Sequence, residues 1–144
     1  MKKLIGSCFV LFLMMSCSTL NSVIKAKEEG KGTAVVYDVT YDQAWLLAKK
    51  SFRWGGADAI EEYKEEGYML TSKGMNWVSS GSVMGAWIEE EPSGGYKVTV
   101  ISKRRISTQI ATGMTEGKFH KYFDAGADIL KSGKDLPLSA PSLD

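Results

Sequence analysis

Residues 35–56 read VVYDVTYDQAWLLAKKSFRWGG, and the spacing of their apolar side chains changes midway. Val35, Tyr37 and Val39 alternate with other residues, the period of a strand that buries one face. From Ala44 the pattern becomes Ala44, Leu47, Ala48, Ser51, Phe52, which is i, i+3, i+4, i+7, i+8, while Lys49, Lys50 and Arg53 fall elsewhere. That is one buried face of a helix. Thr40, followed three residues later by Gln43, has the spacing of a capping box, and Gly55-Gly56 suits a left-handed C-terminal cap. A strand running through a cap straight into an amphipathic helix makes the domain mixed rather than all-α or all-β.

Working outward, residues 115–134 predict a second helix. Phe119, Tyr122, Phe123, Gly126, Ile129 and Leu130 form one stripe, with Thr115 as N-cap and Gly133 as the stop. Between the helices the chain reads as strands. Residues 58–65 form a weak, charged strand turning at Glu66-Gly67. Residues 68–91 form a hairpin reversing at Ser79-Ser80-Gly81, and EPSGG at 91–95 supplies the next reversal. The last strand alternates most cleanly: Tyr96, Val98, Val100, Ile106 and Ile110 share one parity, and Lys97, Thr99, Lys103 and Gln109 the other. Short turns between these strands require antiparallel neighbours. The expected class is α+β: an antiparallel sheet of about five strands with two helices packed on one face, in the order β-α-β-β-β-β-α.

The chain opens Met1-Lys2-Lys3, and nearly every residue from 4 to 15 is apolar. A short basic segment followed by about a dozen hydrophobic residues is the layout of a secretory signal. A spanning helix needs roughly 20 apolar residues. This run breaks at Ser16-Cys17-Ser18-Thr19, and no later run approaches that length, so the mature chain is expected not to be transmembrane. Of the two cysteines, Cys8 in LIGSC follows too few residues for an export signal, whereas Cys17 in LMMSC follows the whole apolar segment. In position and length LMMSC resembles the lipobox of bacterial lipoprotein signal peptides, with Met14 where leucine is usual.

That resemblance implies a signal peptide at 1–16, cleavage between Ser16 and Cys17, and a diacylglyceryl thioether on Cys17 together with an amide-linked acyl chain such as palmitate. Several acyl chains anchor stably where one does not. Ser18 in place of aspartate implies sorting to the periplasmic side of the outer membrane. The alternative is an ordinary secretory signal cut near Ser16 or Ser18, giving a soluble periplasmic protein. With residues 1–16 removed, Cys17 is the last cysteine, and the charge falls from 18 Lys+Arg against 17 Asp+Glu to 16 against 17, a net −1. No nucleic-acid partner is expected of such a chain, since those domains are strongly basic.

Residues 17–32 are expected to be the lipidated cysteine and a flexible tether, because STLNSVIKAKEEGKG is polar with two glycines and no sustained apolar period. Fully stretched, about 15 residues reach roughly 50 Å, enough to hold a body well off the membrane. A single domain at 33–133 and a polar tail at 134–144 complete the chain.

The signal and lipobox, the strand-helix opening at 35–52, the antiparallel meander and the closing helix together resemble uncharacterised small outer-membrane lipoproteins with a BamC-like, helix-grip type of domain. The resemblance implies an envelope protein partner in an assembly or accessory role. It brings no functional residues.

An enzyme is not expected, and neither a cofactor nor a metal. His120 is the one histidine, placed beside Phe119 at a surface or helix rim, and three or four converging ligands are needed for a metal site. EEYKEE at 61–66 and Glu89-Glu90-Glu91 read as solvated charge, because an acid/base pair needs unlike environments; weak calcium binding is the alternative. No G-x-S-x-G elbow or G-x-G-x-x-G fingerprint is present. The glycines at 55, 56, 81, 85, 94 and 95 read as turn and cap residues.

Two features point to contacts. Trp77 and Trp87, placed near opposite each other with Met75 beside them, have the parity opposite to Met84, Ala86 and Ile88, which assigns them to the sheet face without helices. Exposed, they make a recognition patch; otherwise they pack beneath the tether or a loop. Lys103, Arg104 and Arg105 form the one compact basic cluster, suited to anionic lipid headgroups or an acidic partner, or else marking a solvent-facing strand. Arg104 shares parity with the buried set. The expected function is a lipid-anchored interaction module. The alternative is a binder of a small apolar or lipid-like ligand in a pocket lined by Tyr37, Phe52, Tyr96 and Phe123.

Overall fold

Thr40 accepts a hydrogen bond from the Gln43 backbone N–H at 3.2 Å, and the Gln43 side chain accepts one from the Thr40 N–H at 3.0 Å. The capping box at the start of the central helix is therefore closed in both directions. Thr40→Ala removes one half of it and is expected to lower the unfolding free energy by about 1 kcal/mol, measurable by urea denaturation.

The computed structural model describes residues 18–73, 82–104 and 115–144. In chain order the elements are α1 (Ser18–Glu28), β1 (Thr33–Tyr37), α2 (Tyr41–Trp54), β2 (Ala59–Tyr63), β3 (Tyr68–Lys73), β4 (Ser82–Glu90), β5 (Tyr96–Arg104) and α3 (Glu116–Lys131). The strands form one open, wholly antiparallel sheet in the order β1-β5-β4-β3-β2. The class is α+β, as the sequence predicts.

The helix stripes fall where their spacing places them. Ala44, Leu47, Ala48, Ser51 and Phe52 of α2 are buried, and so are Phe119, Tyr122, Phe123 and Gly126 of α3 behind the Thr115 N-cap. These helices cover one sheet face, where they pack on Tyr37, Met69, Met84, Ala86, Ile88, Val98 and Val100. Fully burying an aliphatic or aromatic side chain stabilises by about 1.5–3 kcal/mol, so this layer holds most of the stabilising apolar area.

The helix count and placement differ from the expectation in one respect. Residues 18–28, expected as tether, form α1, and it lies on the opposite sheet face. Val23 and Ala26 are buried there with Leu70, Val83 and Ile101. The reason is the sheet itself: Leu70, Val83 and Ile101 present an apolar strip that, among the described residues, the short helix α1 buries with Val23 and Ala26. Gly32, at φ 105°, lets the chain turn down from α1 into β1 close over β5. A Cβ there would meet Ile101 Cγ1 at 2.6 Å and the Val100 carbonyl oxygen at 2.7 Å.

The start of the polar tail at 134–144 is fastened to the body. Leu136 packs against the main core, and the Pro137 carbonyl accepts hydrogen bonds from Lys50 Nζ at 3.2 Å and from Trp54 Nε1 at 3.3 Å. Leu138, just beyond, is 94% exposed.

Candidate functional site

The second sheet face is best followed along its rows. Antiparallel register aligns Glu61, Leu70, Gly85 and Ile101 across four strands, and Tyr63, Tyr68, Trp87 and Thr99 along the next row of the same face. Side chains two apart on a strand share a face, so Trp87 stands over Gly85. A Cβ on Gly85 would lie 2.6 Å from Trp87 Cη2 and Cζ3 and 3.0 Å from Val23 Cγ1. The missing side chain is thus the seat in which the indole lies back and α1 crosses. Gly85 is a packing residue in the middle of β4, not the turn or cap residue that its composition suggested.

From this seat an aromatic ladder extends toward the β2 edge. Trp87 stacks on Tyr68 with ring centroids 5.8 Å apart, and Tyr68 on Tyr63 at 4.7 Å, each pair within 14° of parallel. Tyr63, at the outer end, is exposed and donates to Glu61 Oε2 at 3.1 Å. On the other flank Lys27 of α1 reaches Glu89 Oε2 at 3.0 Å, and Lys97 approaches the same oxygen at 3.6 Å. Burial pushes the Glu89 carboxyl up, but the hydrogen bond and charge of Lys27, with Lys97 behind it, hold it below the usual carboxylate range. A carboxyl depressed in the folded state stabilises above its unfolded pKa and loses that contribution as pH falls through the folded one. This clamp on α1 is therefore complete at neutral pH and weakens in acid.

The residues expected to form a contact patch distribute as follows. Trp87 is half-buried under α1, and the cross-strand place opposite it, expected for Trp77, belongs to Tyr68, in a register that runs from Tyr68↔Trp87 to Lys73↔Ser82. Of the two readings of that face, packing beneath the N-terminal segment is the one Trp87 follows. Lys103 lies half-exposed on the same face, and Arg104 is the last residue of β5, paired with Ser82. Met75, Trp77, Arg105 and the lipid-attachment candidate Cys17 lie outside the described residues, as do Ile106 and Ile110.

His120 is buried, at 6% exposure, rather than on a rim. Its Nε2 lies 2.9 Å from the Thr33 carbonyl oxygen and its Nδ1 2.7 Å from the Tyr37 hydroxyl. A carbonyl only accepts, so Nε2 carries the hydrogen and Nδ1 accepts from Tyr37 in the neutral ring. Burial, and next the charge of Asp124, push the Tyr37 hydroxyl pKa up, which keeps it a donor. Burial likewise raises Asp124, with His120 opposing. Alongside, Glu116 accepts from the Thr33 hydroxyl at 2.6 Å and from the Ser102 N–H at 2.9 Å. The constellation ties the exposed edge strand β1 to α3, a structural use of histidine. Among the described residues no three His, Cys, Asp or Glu side chains converge as metal ligands.

Three of the four residues proposed to line a ligand pocket fill the core instead. Tyr37 and Phe123 rings approach to 4.1 Å, and Phe52 meets Phe119 at 4.8 Å. Tyr96 is turned to a different place, an open groove of about 580 Å³ at the turn end of the sheet. Tyr41, Lys64, Glu65, Glu66 and Glu90 share that groove with it.

The sequence reading missed α1, the seat at Gly85 and the Tyr63–Tyr68 extension of the aromatic row. Leu20, Val23, Ile24 and Lys27 carry helical spacing, but over only two turns. Comparison of the chain with protein-family models, curated proteins and solved structures gave no match. No helix among the described residues is long and apolar enough to cross a membrane.

Proposed function

We propose that the mature protein is a lipid-anchored, non-enzymatic interaction or accessory module held on the periplasmic side of the outer membrane, serving envelope assembly or maintenance through a protein partner. One observation carries the reading: LMMSC closes a full-length apolar signal segment on Cys17. The likeness to BamC-like envelope lipoproteins gives the accessory role its class. The filling of the space between helices and sheet by Phe52, Phe119 and Phe123 supports contact through surfaces over capture of a small apolar ligand.

The test is the intact mass of the protein extracted from bacterial membranes, followed by crosslinking in cells. A chain beginning at Cys17 with an added acyl mass is expected, and Cys17→Ser is expected to abolish both the cut and the membrane-bound fraction. A mature chain starting at another residue, or one without acyl groups, overturns the reading. An envelope protein crosslinked to Tyr63 or Val36, the exposed apolar side chains of the two edge strands, would identify the partner.

A further inference from the structure

The open sheet ends in two edge strands, β1 and β2, and they differ in kind. β2, AIEEY, carries Glu61 and Glu62 at its middle, and charge on an edge strand guards it against pairing with another chain. β1, TAVVY, has no such guard. Between Lys31 and Asp38 the one ionisable side chain is Tyr37, which is buried. Native edges are also blunted by proline or a bulge, and β1 has neither, its register with β5 running unbroken from Thr33↔Val100 to Tyr37↔Tyr96. Thr33, Ala34 and Val36 are exposed, Val36 at 50%, and among the described residues no strand lies beyond them.

β1 is also held in place. His120 Nε2 donates to the Thr33 carbonyl, His120 Nδ1 accepts from the Tyr37 hydroxyl, and Glu116 accepts from the Thr33 hydroxyl. Both ends of the strand are thus fastened to α3, and an edge already fixed in extended form loses little freedom when another strand joins it.

The residues of β1 decide which strand that is. A two-fold axis through Val35, perpendicular to the sheet, sets β1 antiparallel to the β1 of a second copy and overlaps all five residues. Thr33 then faces Tyr37, Ala34 faces Val36, and Val35 faces itself. Directly opposed residues share a sheet face, so Ala34 and Val36, both on the α1 side by their register with Thr99 and Lys97, meet apolar to apolar. No like charges are opposed. The same operation on β2 sets Glu61 against Glu61 and Ile60 against Glu62, and like charges directly opposite are destabilising.

We infer that two copies of this chain pair β1 to β1 about a two-fold axis at Val35, joining their sheets into one continuous antiparallel sheet. Such an isologous contact closes at two subunits and leaves β2 outermost in each copy. The pairing requires nothing of Cys17, so it stands apart from the lipid anchor.

The test uses the chain from residue 17 onward, without acyl groups and with a reductant present to keep Cys17 from cross-linking. Sedimentation equilibrium is expected to show a mass that rises from one subunit toward two, and no further, as concentration is raised. Amide hydrogen exchange along β1 is expected to slow over the same range, with exchange along β2 unchanged. Val36→Lys places a guarding charge at an exposed position and is expected to raise the dimer dissociation constant by about tenfold or more. Tyr63→Lys, on the β2 edge, is expected to leave it unchanged. A single subunit at every concentration overturns the pairing, as does a dimer indifferent to Val36→Lys or one whose β1 amides exchange no more slowly. A mass that grows beyond two subunits would show β1 of one copy on β2 of the next and would equally overturn the two-fold contact.

Discussion

Phe119→Ala is expected to lower the unfolding free energy by about 3–5 kcal/mol, the cost of deleting a fully buried ring from a core that closes only partly around the space left. Phe119 is wholly buried, with the Phe52 ring at 4.8 Å, the His120 ring edge-on at 5.5 Å and Phe123 at 6.1 Å. It stands where α2, α3 and the sheet meet, and rigid neighbours on three sides limit relaxation. A domain of this size has about 5–15 kcal/mol in hand, so the variant falls near the threshold of folding. Guanidinium denaturation of the chain from residue 17 onward checks it, with Leu138→Ala as the comparison. Leu138 is almost fully exposed, and its truncation is expected to stay within about 0.5 kcal/mol. Similar losses at the two positions would mean that the α3 stripe is not the core.

How much of this was legible beforehand depends on how many residues each pattern had in which to repeat. The α2 and α3 stripes run over roughly two and three turns within helices of 14 and 16 residues that have caps at their starts, and period and caps together located them. The strands of the meander were legible from parity and from the turns at Glu66-Gly67 and 91–95. α1 was not, because eleven residues with lysines between the apolar positions resemble a polar linker. Its helix is stabilised by the sheet strip beneath it rather than by its own propensity, and isolated helices this short are marginal. His120 was misplaced for a related reason. Adjacent to the Phe119 stripe, it seemed to lie at the helix rim, and only the arrival of β1, distant in sequence, makes the Thr33 carbonyl and the Tyr37 hydroxyl its partners. The candidate patch was legible in part: parity put Trp87 on the correct face, but the β3–β4 register decided that its neighbour is Tyr68.

Gly85→Val is expected to be the most damaging single change on the α1 side, at about 2–3 kcal/mol, because it overpacks a seat that has room for no side chain. Even the first carbon would stand 2.6 Å from the Trp87 ring and 3.0 Å from Val23 Cγ1; the strand above and below is held by ladder bonds, so the parts that give way are the indole and the helix. In a double-mutant cycle, Val23→Ala is expected to cost much less in the Gly85→Val background than alone, since α1 has already been lifted, with a coupling of about 0.5–3 kcal/mol. Urea unfolding read by tryptophan fluorescence supplies all four corners, and additive losses would show that Gly85 is not the seat of α1. A stable core under a lifted α1 would thus separate the two layers of the molecule: α2 and α3 hold the main core on one sheet face, and α1 covers the apolar strip on the other.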